Sequence, residues 1–359
     1  MYSIGKTKSQ GRTHRPSGKP KHYKIMNKLF IGVGLMLCAA CASQQAGTEK
    51  FYKDWDKTTD VRTHVHEIDM DSVLIHANST PYIAGRYLLI ADAQSTGSLI
   101  QAFDKNDFRY LGSFVRQGEG PNAITRLGSL GINGDRQPIY LTDYGKMKIF
   151  ACHVDSALHD SAYTLREVAP MNPAQFPADF TLTDDSLGIG RFIIPTSNSD
   201  YRPRVAKWNL FTGKCEPMPY EYPDIAHKRI TCGVSPRDKV YAECYDNVDL
   251  MTLCDFDGKL LCNIHGPAWD ADSQQPMHYY SNAVFRKGQV IAAYSGGDKR
   301  TDNYYPTRFQ VFDLEGNYLK TLDVGYKILR YCYDEANDRL IICFNDAIQY
   351  GYIDLKDLL

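Results

Sequence analysis

The stretch Ser113-Phe114-Val115-Arg116-Gln117-Gly118-Glu119-Gly120-Pro121-Asn122 (SFVRQGEGPN) admits two readings that lead to different folds. Its glycines suit either a phosphate-cradling loop or a connector between two strands. A phosphate loop needs a strand before it and a helix N-terminus after it, whose free N–H groups and dipole hold the anion. SFV is strand-like, but the following PNAITRLG (121–128) is short and bounded by glycine, and Asn122 stands where Gly-Lys-Ser is required. As a connector, the two glycines allow a tight crossing, Pro121 fixes the chain's return, and Arg116 and Glu119 face a ligand side.

The rest of the chain favours the connector. Six runs rich in β-branched, aliphatic and aromatic residues begin at Tyr87, Ile139, Leu187, Val240, Val290 and Leu340, spaced 52, 48, 53, 50 and 50 residues apart. Self-similarity at a fixed period marks a repeat architecture. Most of these runs are followed by a second strand ending in turn chemistry (Phe103-Asp104-Lys105-Asn106, Phe256-Asp257-Gly258, Leu314-Glu315-Gly316), then by a third; a further strand precedes each run. No long amphipathic helix interrupts the pattern after the N-terminal segment. Four antiparallel strands in each of six units predict an all-β, six-bladed β-propeller, in which radial repetition leaves only short protected edges. The last unit supplies three strands, so Val61–Ile68 is predicted to complete it as the outer strand and clasp the ring shut.

Composition agrees with a large β domain. The 359 residues are 43% hydrophobic and 12% aromatic, with 25 tyrosines. The net charge of −1 hides an asymmetry: residues 1–48 carry eight Lys or Arg and no acid. Removing those eight leaves 33 basic residues against 42 acidic, about −9, which argues against a nucleic-acid partner.

The N-terminal segment reads as an address. Met26-Asn27-Lys28 precedes the apolar run 29–37 and then Cys38-Ala39-Ala40-Cys41. The run is too short to span a bilayer and suits a signal-peptide core. Residues 26–40 are expected to be a lipoprotein signal peptide with Cys41 the acylated first residue, giving a membrane partner and a bacterial cell-envelope location. Residues 1–25 read as an extension upstream of the true start, 41–54 as a tether and 55–359 as the propeller.

The Arg-Gln-Gly-Glu-Gly-Pro-Asn stretch at 116–122, together with Phe-Asp-Lys-Asn at 103–106, resembles the TolB-like six-bladed propeller lipoproteins of Bacteroidetes, and Gly-x-Gly-Pro at 118–121 recurs in NHL-type propellers. The resemblance spans roughly residues 55–359 and implies fold and envelope location without an established activity.

Catalytic and metal-binding patterns are sparse. His64 and His66 would share one face of a strand, yet two imidazoles do not make a structural zinc site, and no metal or cofactor is expected. No Gly-x-Ser-x-Gly elbow occurs. Eight cysteines follow Cys41, and two pairs, Cys254/Cys262 and Cys332/Cys343, flank hairpin turns; buried thiols are the expected state.

The remaining functional signal is positional. Loops between second and third strands emerge on the same propeller face as the connectors between blades, where ligands sit. That face would gather Arg116, Glu119, Asp143, Tyr144, Tyr201, Arg202, Tyr245, Asp246, Arg300, Tyr304 and Tyr305, a mixture suited to stacking and planar hydrogen bonding with a glycan or peptide. The expected function is therefore a lipid-anchored binding or scaffold protein for a glycan, peptide or outer-membrane protein partner. The alternative is a glycan-active enzyme, such as a polysaccharide lyase using the axial pocket. An acid ending the second strand recurs as Asp92, Asp143 and Asp246, with Asp346 one place later, and fixing a loop through backbone N–H groups is the simpler role for it.

Overall fold

In the computed structural model, residues 48–359 are described except 71–72, 198–199, 224 and 226–227. The expected signal peptide, the lipid attachment at Cys41 and residues 1–25 lie outside the described residues. Six small sheets of four or five strands form a ring, one sheet per predicted unit, and each runs in sequence order from an innermost strand to an outer one. The six marker runs are all second strands: Tyr87–Ala91, Arg136–Asp143, Leu187–Pro195, Val240–Tyr245, Gln289–Asp298 and Arg339–Phe344. The chain is a six-bladed β-propeller.

Burial on both faces explains why those runs read as unbroken apolar segments. Side chains alternate across a strand. In blade 1, Tyr87, Leu89 and Ala91 therefore face blade 2, while Leu88 and Ile90 face blade 6. In blade 6, Leu340, Ile342 and Phe344 face blade 5, and Ile341 and Cys343 face blade 1. The core is accordingly six apolar layers, each between neighbouring blades, and each fully buried Leu or Ile contributes about 1.5–3 kcal/mol.

Glycines set how closely innermost strands approach the next blade. A Cβ on Gly131 would strike the Phe180 ring, and one on Gly233 would strike the Ala283 carbonyl of blade 5.

Ring closure differs in detail from the prediction. Of the expected strand Val61–Ile68, only His66–Glu67 pairs with the third strand of blade 6 (Tyr350–Asp354). Arg62–His64 is a single 3₁₀ turn, so His64 and His66 do not share a strand face. His66 instead stacks on Tyr352 with centroids 5.0 Å apart.

The stretch before it is structured too. Glu49–Phe51 runs parallel to the outer strand of blade 4 (Leu260–His265), and Thr58–Asp60 runs parallel to that of blade 5 (Tyr318–Asp323). Residues 49–54 thus belong to the propeller rather than to a tether. Their side chains hold them there: Tyr52 and Trp55 fill the seam between blades 4 and 5, with Trp55 5.0 Å from Tyr318 and 5.8 Å from Phe312. Glu49 contacts the buried His265 at 2.6 Å and accepts from Asn263 at 2.8 Å. The chain therefore straps three consecutive blades from outside.

SFVRQGEGPN is a blade connector, and its hydrogen bonds exclude the phosphate reading. Residues 123–124 double back to run parallel to 116–117. Gly118 adopts a φ of 155°, open to glycine and rarely to other residues, and its N–H is spent on the Ile124 carbonyl at 3.0 Å. The carbonyls of Gly120 and Ala123 turn toward Lys146, which donates to them at 2.7 and 2.5 Å. The loop offers carbonyls to a cation of the protein itself rather than N–H groups to an anion.

All eight described cysteines are free thiols. Hairpin register sets Cys332 opposite Ile341 and Cys343 opposite Arg330, and sets Cys262 opposite Leu253, so neither candidate pair faces across its hairpin.

Candidate binding site

Six innermost strands line an axial channel. Each starts on the face that carries the inter-blade connectors and ends at a hairpin on the opposite face. The connector-side half is a cavity of 470 Å³ walled by all six blades. Its polar wall comprises Asp179 and Arg191 of blade 3, Asn282 of blade 5 and Arg330 of blade 6, with aromatic surface from Tyr82 and Tyr331. The hairpin-side half, 510 Å³, shares Thr181, Cys232, Asn282 and Tyr331 with it. There Arg237 of blade 4 bonds Glu335 of blade 6 at 2.9 Å, spanning the mouth past blade 5.

Local pairing explains the polar wall. Asp179 and Arg191 are cross-strand partners in register, and Arg191 donates to Oδ2 through Nε at 2.8 Å and Nη2 at 2.6 Å. Burial alone would lower the Arg191 pKa, but the neighbouring Asp179 outweighs it and the pKa rises. Both bonds fall on one oxygen, and Asp179 Oδ1 is buried with no protein donor. Asn282 Oδ1 is likewise buried and unpartnered. The Tyr331 hydroxyl, by contrast, is spent, donating to the Asn282 carbonyl at 2.6 Å and accepting from Ala293 N–H at 3.1 Å. Arg330 is exposed; its guanidinium bonds the adjacent Leu329 carbonyl at 2.8 Å and has no acidic partner among the described residues. Burial pushes the Tyr82 hydroxyl pKa up, against a hydrogen bond to the Leu130 backbone that lowers it.

A second pocket of 410 Å³ lies on the connector face at blades 3 and 4, lined by Tyr201, Arg202, Glu221, Tyr222 and Lys228 among others. Its charges are internally satisfied: Arg202 bonds both oxygens of Glu221 at 3.0 and 2.9 Å, and Lys228 pairs with the buried Glu243. Burial would raise the Glu221 carboxyl, but Arg202, Lys228 and Arg204 outweigh it and hold it below its ordinary value. The axial cavity keeps unspent hydrogen-bonding capacity; this pocket does not. A buried polar atom without a partner costs about 1–3 kcal/mol, which makes such atoms informative about what a cavity can take.

Of the residues singled out by sequence, Tyr201 and Arg202 meet in the blade 3 pocket. Three are internal. Asp143 is fully buried and accepts four backbone N–H bonds, from Thr125, Arg126, Gly145 and Lys146 at 2.8–3.2 Å. Tyr144 donates to the carbonyls of Pro177 and Ala178, and burial pushes its pKa up to about 12. Tyr245 is fully buried beneath Lys228.

Four of the others are engaged at the surface. Asp246 pairs with Lys299 and lies 3.5 Å from His278. Arg300 forks onto Asp298 of its own loop. The Tyr304 and Tyr305 rings pack against each other at a tilt, centroids 4.0 Å apart. Arg116 and Glu119 are exposed on the first connector and line neither cavity.

The recurrent acid is a fastening device: Asp92 accepts from His76 N–H, Asp143 from Thr125 and Arg126, and Asp346 from Lys327, each tying a second-strand turn to the connector entering that blade. In blade 4 the comparable acceptor is Asp249, three places later, which takes a bond from Ala268 N–H in the connector leaving the blade.

The axial residues escaped sequence reading. Their one local signal is that Asp179, Asn282 and Arg330 are polar residues inside strands that precede a marker run.

No known protein family and no curated protein matches the chain. Among solved structures, a member of the DUF4221 family from Bacteroides vulgatus is similar with a TM-score of 0.55 and 13% identity, over 80% of this chain and 94% of that one. A luciferin-regenerating enzyme is similar with a TM-score of 0.50 and 9% identity, again over 80% and 94%. At these identities the likeness concerns the propeller fold alone.

Proposed function

We propose that this chain is a binding protein of a bacterial cell envelope, held to the membrane by a lipid on Cys41, that takes a glycan or peptide ligand into the connector-side half of its axial channel. The observation that carries the binding reading is unspent polar capacity in a cavity ringed by all six blades: among the described residues, Arg330 has no acidic partner, and Asp179 Oδ1 and Asn282 Oδ1 have no donors. Concave sites with a few convergent polar groups on aromatic walls are the usual form of small-molecule sites. The envelope address is supported by the Met26–Cys41 segment, and kinship with TolB-like lipoproteins by the Gly-x-Gly-Pro connector. No helix among the described residues is long and apolar enough to cross a membrane.

Two measurements test this. Metabolic labelling with a fatty-acid analogue should mark the full chain expressed in a Gram-negative host and fail to mark Cys41→Ala; an unlabelled wild-type chain would remove the anchor. A thermal-shift screen of soluble glycans and short peptides should find ligands that stabilise the wild type and not an Arg330→Gln/Asn282→Ala double variant. Chemical conversion of a stabilising glycan would instead favour the lyase reading.

A further inference from the structure

We propose, resting on the axial-cavity reading above, that the ligand is an acidic sugar: a polyhydroxyl ring carrying a carboxylate. The argument follows what the cavity wall leaves unsatisfied. Arg330 offers a planar fork of donors with one bond committed, to the Leu329 carbonyl, and no acid beside it among the described residues. A guanidinium fork matches a carboxylate in shape and charge. The cavity holds two arginines, Arg191 and Arg330, against one carboxylate, Asp179, so it carries a net positive charge.

On the opposite side of the ring, at blade 3, the need is reversed. Asp179 is fixed through Oδ2 by Arg191 while Oδ1 lacks a donor; on blade 5, next to Arg330's own blade, Asn282 Oδ1 lacks one as well. Hydroxyl groups supply donors to such acceptors, and the Asn282 amide can donate back to the same groups. Blades 3 and 6 face each other across the axis. The ligand therefore presents its carboxylate to Arg330 and its hydroxyls to Asp179 and Asn282. Tyr82 supplies an aromatic surface for the apolar face of a sugar ring.

The shape of the channel favours a compact ligand entering end-on. The Arg237–Glu335 bond crosses the far mouth from blade 4 to blade 6, so a polymer does not thread through without breaking it. A volume of 470 Å³ lies within the range that small-molecule sites occupy.

Calorimetric titration of the full chain tests the assignment, with D-galacturonate, D-glucuronate and N-acetylneuraminate as acidic probes, D-galactose and D-glucose as their neutral counterparts, and an acidic tripeptide. At least one acidic sugar is expected to bind about tenfold or more tightly than its neutral counterpart, with affinity falling as salt rises. Arg330→Gln should cost about tenfold or more toward that sugar and leave neutral-sugar binding unchanged, whereas Arg330→Lys should recover part of the loss. Asn282→Ala should weaken acidic and neutral sugars alike. Circular dichroism and melting curves of each variant separate lost binding from lost folding.

Equal binding of acidic and neutral sugars, unaffected by Arg330→Gln, overturns the acidic-sugar assignment and leaves the cavity as a binding site. Tighter binding of the tripeptide, abolished by Arg330→Gln, overturns the sugar assignment in favour of a peptide. Failure of every probe to bind the wild type, or binding that survives Arg330→Gln/Asn282→Ala, overturns both this assignment and the axial-cavity reading.

Discussion

Replacing Asp143 with alanine removes the acceptor of four backbone N–H groups at once. Oδ1 serves Arg126, Gly145 and Lys146, and Oδ2 serves Thr125. Each bond to a charged acceptor is worth about 1.5–3 kcal/mol, and an N–H left unpaired costs about 1–3 kcal/mol. Arg126 and Gly145 lie at exposed positions where water replaces the carboxylate, so about two of the four losses count in full. The expected destabilisation of Asp143→Ala is about 3 kcal/mol, large for a residue outside the apolar layers.

Asp143→Asn should cost about half as much, because an amide oxygen at the Oδ1 position keeps three bonds and only the Thr125 N–H meets an NH₂ group. Urea unfolding followed through Trp55, Trp208 and Trp269 measures both. Asp92→Ala and Asp346→Ala, which sever the same kind of tie in blades 1 and 6, should also destabilise. Asp246→Ala, whose partners are side chains, should cost under about 1 kcal/mol. An Asp143→Ala protein within about 0.5 kcal/mol of wild type, or an asparagine variant as unstable as the alanine one, would refute the fastening role.

Two further outcomes follow from the packing. Trp55→Ala, which empties the seam between blades 4 and 5, should destabilise by about 2–3 kcal/mol and speed amide exchange in residues 49–60, since Trp55 is half-buried rather than fully so. Gly233→Ala should cost about 2 kcal/mol or more because its Cβ meets the Ala283 backbone carbonyl, which cannot swing aside; a neutral effect in the melting curve would show that the blades have slack.

Asp249 is fully buried, and burial raises its pKa from 3.8 to about 6 despite bonds from Ala268 N–H and the Tyr294 hydroxyl. A raised carboxyl pKa means stability is full below about pH 4 and lost as pH climbs through about 6, a difference on the order of 3 kcal/mol. Asp249→Asn should therefore stabilise the protein at pH 8 and not at pH 4; equal effects at both pH values would contradict this.

The fold was legible in the sequence because both faces of each second strand are buried, producing apolar runs at a period of about fifty residues. Ring closure was legible only in part. The surplus strand near residue 66 shows as a count, but the parallel strands at Glu49–Phe51 and Thr58–Asp60 are short, polar and edge-mounted, held by Trp55, Tyr52 and Glu49 rather than by periodicity. The connector face was located correctly in topology, yet most polar residues picked from it are occupied. Asp143 and Tyr144 look like surface turn residues in sequence, and burial is set by how the next connector folds over them. Asp179, Asn282 and Arg330 come together only through ring geometry, which no local pattern encodes.

The outer strap divides the ring into unequal halves. Blades 4, 5 and 6 carry a strand of the strap along their outer edges, whereas the outer strands of blades 2 and 3, Arg166–Pro170 and Cys215–Pro217, have no further strand paired to them among the described residues. Local opening free energy follows local hydrogen bonding and packing, so thermal breathing concentrates on the side of blades 2 and 3. The axial cavity straddles that boundary: Arg330 and Asn282 stand on the braced side, Asp179 and Arg191 on the free one. The two walls therefore differ in local bracing, and native-state amide exchange should run faster along Phe176–Leu182 and Leu187–Pro195 than along Met277–Arg286 and Ile328–Asp334.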